Sequence, residues 1–315
     1  VVALFPRVQK SVRHQIDRRI FGLRQDLLEI NKQQQQRVEI YADGKKGALS
    51  DRQIGEYHIG ALVGKGGMGQ VYHATHIATG EAVAFKVLAD ALFTEDDAQQ
   101  RFIREAKLAQ SLTHPHIVPV LKNIYDNHHL YIIMPFIAGR DLWTIYKERG
   151  KIALADMHHI LTQMADALDY LHGQGIVHRD IKPSNIMLTE NNHVWLLDFG
   201  IAKWVNDSHV LTRSSGILGT LDYTAPEQLV SSKDVDHRAD IYALGVMTYQ
   251  LLAGQAPFTG GVGNLVYAHL NQPAPDIRVI MPDIPTGVAF ALMRAMAKDA
   301  DDRFDTATDF IRAMR

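Results

Sequence analysis

From Tyr57 onward, the hydrophobic pattern of this 315-residue chain is mainly strand-like up to about Gly139 and mainly helical after it. Before that point, short alternating runs at Tyr57 to Val63, Gln70 to His76 and Ala82 to Leu88 read as three strands split by glycine-rich turns. Thr94, followed by Glu95, Asp96 and Asp97 against the helix dipole, predicts a helix running to about Leu112. Ile117 to Leu121 and Leu130 to Met134 add two more strands. After that point, apolar residues recur at helical spacing over Ala155 to His172, Asp240 to Ala253, Asn264 to Leu270, Thr286 to Lys298 and Thr306 to Met314. A strand-rich part followed by a helix-rich part is an α+β organisation in two lobes.

Ahead of the strands, Val8, Val12, Ile16, Ile20, Leu23, Leu27 and Ile30 fall on one face of a helix over residues 7–32, with Arg13, Arg18, Arg19 and Arg24 among them. A glutamine tract (Gln33 to Gln36) and turn signals at Asp43-Gly44 and Gly47 follow. Residues 1–54 carry a net positive charge and residues 55–315 a net negative one, although the whole chain sums to only -2. The expected division is therefore an N-terminal helical extension over 1–54 and one domain over 55–315, with an N-lobe over 55–137 and a C-lobe over 138–315. The basic helix has three readings: packing on its own lobe, pairing with a second copy, or lying on a membrane surface. Interspersed acids and the glutamine tract favour the first two, so residues 7–32 or the N-lobe offer a homodimer surface.

Composition removes several classes. With no cysteine, disulfides, thiolate zinc sites and a cysteine nucleophile are excluded. The near-neutral charge offers no global field for nucleic acid, and no nucleic-acid partner is expected. Sixteen scattered histidines form no clear ligand set. No apolar run approaches a membrane span. A start at Val1 without a signal-like segment reads as a piece of a longer chain, and membrane anchoring outside it stays open.

Five short motifs carry chemistry. Gly64-Lys65-Gly66-Gly67-Met68-Gly69-Gln70-Val71 lets backbone N–H groups approach phosphates. A dinucleotide fingerprint needs a helix straight after the turn; here a strand returns, which favours a hairpin lid, with a plain glycine turn as the bland rival. Val83-Ala84-Phe85-Lys86 points Ala84 and Lys86 to one side of a strand; alone, Lys86 reads as an exposed strand lysine, and Glu105 as a solvated helix residue. His178-Arg179-Asp180-Ile181-Lys182-Pro183-Ser184-Asn185 supplies a carboxylate and, five residues on, an amide able to bind a metal. Asp198-Phe199-Gly200 follows the apolar run Val194 to Leu197, and Ala225-Pro226-Glu227 is joined far downstream by Arg303.

In this order and spacing, the motifs make the region from about Tyr57 to Arg315 resemble a protein kinase catalytic domain, and more narrowly the bacterial eukaryotic-like Ser/Thr protein kinases. The resemblance implies the two-lobed kinase fold and transfer of the ATP γ-phosphoryl to protein Ser/Thr hydroxyls, with Mg²⁺ (Mn²⁺ as a substitute). It implies that Gly64, Gly66 and Gly69 cover the phosphates, that Val63, Lys65, Gly67 and Met68 also belong to the ATP site, and that Lys86 holds the α/β-phosphates while pairing with Glu105. Val71, Ala84 and Met187 would sandwich adenine, beside a gatekeeper Met134 and a hinge at Pro135 and Ile137. Asp180 would be the base, Lys182 would neutralise the γ-phosphate, Asn185 and Asp198 would hold metal, and Glu227 and Arg303 would pair structurally. Thr212 and Ser214 would be activation-segment phosphosites facing Arg179, and Thr220 would favour Ser/Thr acceptors. Pro135 and Leu221-Asp222-Tyr223-Thr224 depart from the family pattern. Such a domain works in signal transduction, and its catalytic part would be cytoplasmic. The rival is a pseudokinase-type ATP-binding scaffold.

Overall fold

The computed structural model describes residues 45–66, 69–88, 107–126, 129–197, 221–231 and 235–315. The helix expected over 7–32 and the start of the one expected at Thr94 lie outside the described residues. So do Gly67, Met68, Glu105, Asp198, Phe199, Gly200, Thr212, Ser214 and Thr220.

The first lobe is one antiparallel sheet. Its strands are β1 (Gln53–Ile54), β2 (Tyr57–Gly66), β3 (Gly69–His76), β4 (Ala82–Leu88), β5 (Lys122–Asp126) and β6 (His129–Pro135), in the spatial order β1-β2-β3-β4-β6-β5. Alternation gives the sheet two distinct faces. Tyr72, Phe85 and Ile133 pair across neighbouring strands and sit with Tyr57, Ile59, Ala74, Val83 and Tyr131 in the lobe's own core. The opposite face carries Val71, Ala84, Lys86, Ile132 and Met134, and Ile132 belongs to the core cluster of the second lobe.

The expected strand over Ile117 to Leu121 does not form; β5 begins at Lys122 instead. Pro119 lacks the N–H that a ladder needs. The run is a buried connector instead. Ile117 makes an isolated parallel bridge to Leu196, Val118 N–H donates to the Leu196 carbonyl (3.1 Å), and Leu196 N–H donates to the His116 carbonyl (2.8 Å).

The second lobe opens with a small sheet, β7 (Arg140–Asp141), β8 (Ile186–Leu188) and β9 (Val194–Leu196), in sequential order. Its helices are α1 (Leu142–Arg149), α2 (Leu154–Gly173), α3 (Pro226–Val230), α4 (Arg238–Ala253), α5 (Val262–Asn271), α6 (Thr286–Ala295) and α7 (Ala307–Ala313). Helix α1 lacks a strong apolar stripe, with only Leu142 and Ile145 buried, but Asp141 caps it by accepting from Thr144 N–H (2.9 Å), and Gly150 ends it at φ 74. Helix α4 is buried all round from Ala239 to Ala253, which marks it as the axis of the lobe. Helix α6 stops at Ala295, short of the expected Lys298, and Lys298 turns to donate to the carbonyls of Ala268 (2.9 Å) and His269 (2.8 Å) at the end of α5.

Candidate active site

The site lies where the two lobes face each other, and each half is set by a different local rule. On the sheet side, cross-strand register does the placing. Val71 lies opposite Lys86, and Ala84 opposite Met134. Lys86 is 7% exposed, so it is not the solvated strand lysine that its type alone suggests. Met134, Ile137 and Met187 pack around the buried Val118 and Trp195, and Ala84 packs on Ala82 and Phe136. Pro135 ends β6 opposite Val83, and Phe136 N–H donates to the Ala82 carbonyl (3.4 Å). The structure thus gathers small and apolar side chains from both lobes beside one buried lysine.

Strands β2 and β3 form the glycine hairpin, with Gly64 opposite Val71, Lys65 opposite Gln70 and Gly66 opposite Gly69. Val63 is exposed. Gly69 has φ 138, and a Cβ there would meet the Val87 carbonyl oxygen at 1.9 Å. Only glycine satisfies both the angle and the approach.

The loop from His178 to Asn185 forms the other half. Asp180 is 5% exposed and held from two sides. Lys182 Nζ lies 2.7 Å from its Oδ2. Asn185 Nδ2 donates to the same Oδ2 (3.0 Å) and to the Asp180 backbone carbonyl (2.8 Å). Residues Pro183–Asn185 are a single 3-10 turn with proline at its start, where a missing N–H costs nothing. Leu197 N–H donates to the Asn185 carbonyl (2.8 Å), so the described chain after β9 ends against Asn185, one residue before Asp198.

Sequence reasoning reads Asp240 only as a helix start, yet it anchors this loop. It sits in the first turn of α4, wholly buried, and accepts from His178 N–H (2.8 Å), Arg179 N–H (2.7 Å) and His172 Nε2 (2.8 Å). Burial opposes its charge, but the His172 bond, the nearby imidazoles and the His178 N–H hold its carboxyl below the usual carboxylate range. The two backbone bonds also secure Arg179 at φ 63, a left-handed angle that costs a non-glycine residue of order 1 kcal/mol. An acid directly before a long apolar run was the only signal for it.

Beneath the loop, Arg303 is fully buried and grips Glu227 with both terminal nitrogens, Nη1 to Oε1 at 2.7 Å and Nη2 to Oε2 at 2.8 Å. Its remaining N–H groups donate to the carbonyls of Ala297, Arg238 and Lys298. This ties α3 to the end of the chain. Elsewhere in the lobe, Tyr223 O–H donates to Gln250 Oε1, and burial pushes the Asp222 carboxyl above its usual range.

Metal fit turns on Asn185. Its side-chain bonds to Asp180 both use Nδ2, and the other group on that side chain is a carbonyl oxygen, the ligand type that Mg²⁺ takes.

Comparison with known proteins agrees with this geometry. The protein kinase domain family matches residues 57–314. The serine/threonine-protein kinase PknE of Mycobacterium bovis is 36% identical over 271 residues, covering 86% of this chain and 48% of its own length. The serine/threonine-protein kinase PknH of Mycobacterium tuberculosis is 38% identical over 262 residues, covering 82% of this chain and 41% of its own length. The chain thus spans less than half of either relative. The crystal structure of the Mycobacterium tuberculosis PknI kinase domain superposes with a TM-score of 0.68 at 31% identity, over 85% of this chain and 98% of that one. Rad53 in complex with AMP-PNP superposes with a TM-score of 0.68 at 25% identity, over 81% of this chain and 64% of that one. With a buried lysine facing a carboxylate–lysine–asparagine loop across two lobes, and the family match running through nearly all of both, the chain belongs to the protein kinase domain family.

Proposed function

We propose that the chain is an ATP-dependent serine/threonine protein kinase that phosphorylates Ser/Thr hydroxyls of protein substrates in signal transduction. The observation that carries this reading is the Lys182–Asp180–Asn185 constellation, in which one buried carboxylate oxygen meets both an ammonium and an amide.

Asp180 accepts the proton of the acceptor hydroxyl, and the Lys182 and Asn185 bonds hold its carboxylate in one orientation. Lys182, 19% exposed, can turn its charge to the phosphoryl oxygens as negative charge shifts during transfer. Lys86 binds the α/β-phosphates, with Glu105 as its partner. Gly64, Gly66 and Gly69 let the hairpin lie close over them. Val71, Ala84, Met134, Ile137 and Met187 enclose adenine, and the Pro135 carbonyl accepts from its amino group. Asn185 and Asp198 would hold Mg²⁺, which when bound offsets phosphate charge. The chain's contribution is positioning and electrostatics rather than covalent chemistry.

Phosphate on Thr212 or Ser214 would pair with Arg179 and order the segment between residues 198 and 227. A cytoplasmic catalytic domain fits the supply of ATP. The scaffold alternative finds no support, since relatives across the whole domain are named as kinases.

The test is transfer of labelled phosphate from ATP with Mg²⁺, run beside Asp180→Asn. Label on protein that disappears in the variant, while nucleotide binding persists, supports the reading. Nucleotide binding without any transfer to protein would overturn it.

A further inference from the structure

The glycine hairpin is braced from outside the cleft. Beyond its two-residue pairing with β1, strand β2 would be an open edge from Ile59 to Gly66. The segment Lys45–Ile54 covers that edge as far as Leu62. Asp51 N–H donates to the Ile59 carbonyl and Ile59 N–H to the Arg52 carbonyl (both 2.8 Å). The ladder of β2 with β3 slips between Ile59 and Leu62 and again between Leu62 and Gly64. There, Leu62 N–H donates to the Lys45 carbonyl (2.8 Å). A bulged edge strand thus finds its missing partner in a segment that precedes the sheet.

The segment also seats one side chain of the hairpin. Gly47 lies flat on Tyr72: a Cβ on it would meet the Tyr72 hydroxyl at 2.4 Å and the ring at 2.6 Å. Leu49 packs on the same cluster, and its N–H donates to the Tyr72 hydroxyl (3.4 Å). The hydroxyl in turn donates to Gln70 Oε1. Gln70 sits one residue past Gly69 and lies opposite Lys65. A fully buried tyrosine therefore receives one bond from the segment and passes one to the hairpin, using both capacities of its hydroxyl.

We propose that Lys45–Ile54 is a positioning element for the nucleotide, fixing the glycine hairpin through the Tyr72 hydroxyl and Gln70 and so setting the affinity for ATP. This rests on the reading of the cleft as an ATP site. The β3 side of the hairpin is held by β4, with Gly69 opposite Leu88 and Gln70 opposite Val87, whereas its β2 side is bonded on the outer edge by this segment, so the position of the hairpin over the phosphates depends on what fixes that edge.

The experiment uses the full chain with Tyr72→Phe, which keeps the ring and removes the hydroxyl, and Gly47→Ala, which pushes the segment off the ring. Nucleotide affinity is read directly by calorimetry with a non-hydrolysable ATP analogue, turnover is read as KM for ATP against kcat, and folding by thermal midpoint. Expected is a roughly three- to tenfold rise in both Kd and KM, with kcat changed less than twofold. Tyr72→Phe should keep the wild-type midpoint within a few degrees. Unchanged Kd in both variants, or kcat falling in step with affinity, would overturn the proposal. If wild-type protein itself binds no nucleotide, the reading of the cleft fails instead, and the two failures are distinguishable.

Discussion

Lys182 Nζ and Asn185 Nδ2 meet on a single oxygen, Oδ2 of Asp180, at 2.7 and 3.0 Å. Because both donors come from the five residues that follow, the Asp180 carboxylate is oriented by its own loop. Asp180→Asn removes the proton acceptor while leaving an isosteric group. The rate of phosphoryl transfer should fall by roughly 10²–10⁴-fold, with nucleotide affinity little changed, as read by single-turnover kinetics beside calorimetry.

Asp240 acts on that loop from behind. Asp240→Asn keeps the shape but weakens three charge-assisted bonds, to His172, His178 and Arg179. On the proposed reading the loop acts on the phosphoryl in transfer, while Lys86, the hairpin and the adenine enclosure hold the rest of the nucleotide, so kcat should drop at least tenfold and KM for ATP should change much less. Equal losses in both would mean that Asp240 only supports folding.

Gly69→Ala forces a Cβ against the Val87 carbonyl at a backbone angle that alanine rarely adopts. Relief requires the hairpin to move. Strain of about 1–3 kcal/mol corresponds to a loss of roughly five- to 150-fold in ATP-analogue affinity by calorimetry. Gly66→Ala, where a Cβ would meet nothing within 4 Å, should lose far less.

Breaking the Glu227–Arg303 pair from one side strands a buried charge. Glu227→Ala should destabilise the protein by about 3–5 kcal/mol, measured by urea unfolding. Arg303→Lys should recover little, because an ammonium cannot reproduce the two-pronged contact and the three carbonyl bonds.

His269 on α5 gives a pH dependence. Burial, helped by the Lys298 charge, pushes its imidazole down to about 4. In the unfolded chain it titrates near 6.5. Between these values the unfolded state binds the extra proton, so stability is full above about 6.5 and is lost as pH falls toward 4, by up to about 3 kcal/mol. Urea unfolding at pH 7 and pH 4.5 should show a smaller difference for His269→Gln than for the wild-type chain.

What the sequence made legible follows from where each signal resides. Helices α2 and α4 announced themselves because their burial repeats along a continuous stretch. The strand expected at Ile117 failed because its apolar residues are buried by a connector, a state that periodicity cannot separate from a strand; Pro119 was the discriminating residue. Helix α1 leaves a weak signal in the sequence because it buries only two side chains, although Asp141 and Gly150 bracket it. In the site, Asp180, Lys182 and Asn185 are legible because they share one loop and bond to one another. Asp240 is not, because it works through backbone N–H groups more than sixty residues away in the chain, and such a role leaves no pattern of side-chain types. The Gly47–Tyr72 contact was hidden for the same reason, since a turn glycine and a strand tyrosine are each ordinary alone.

The bridge between Ile117 and Leu196 gives the two lobes a second fulcrum. The chain crosses between them at Phe136, and the connector before β5 touches the small sheet again at Leu196, whose neighbour Leu197 is bonded to Asn185. The sheet lobe is thus tied to Asn185 through backbone bonds at Leu196 and Leu197, a route that substitutions of side chains along it leave in place.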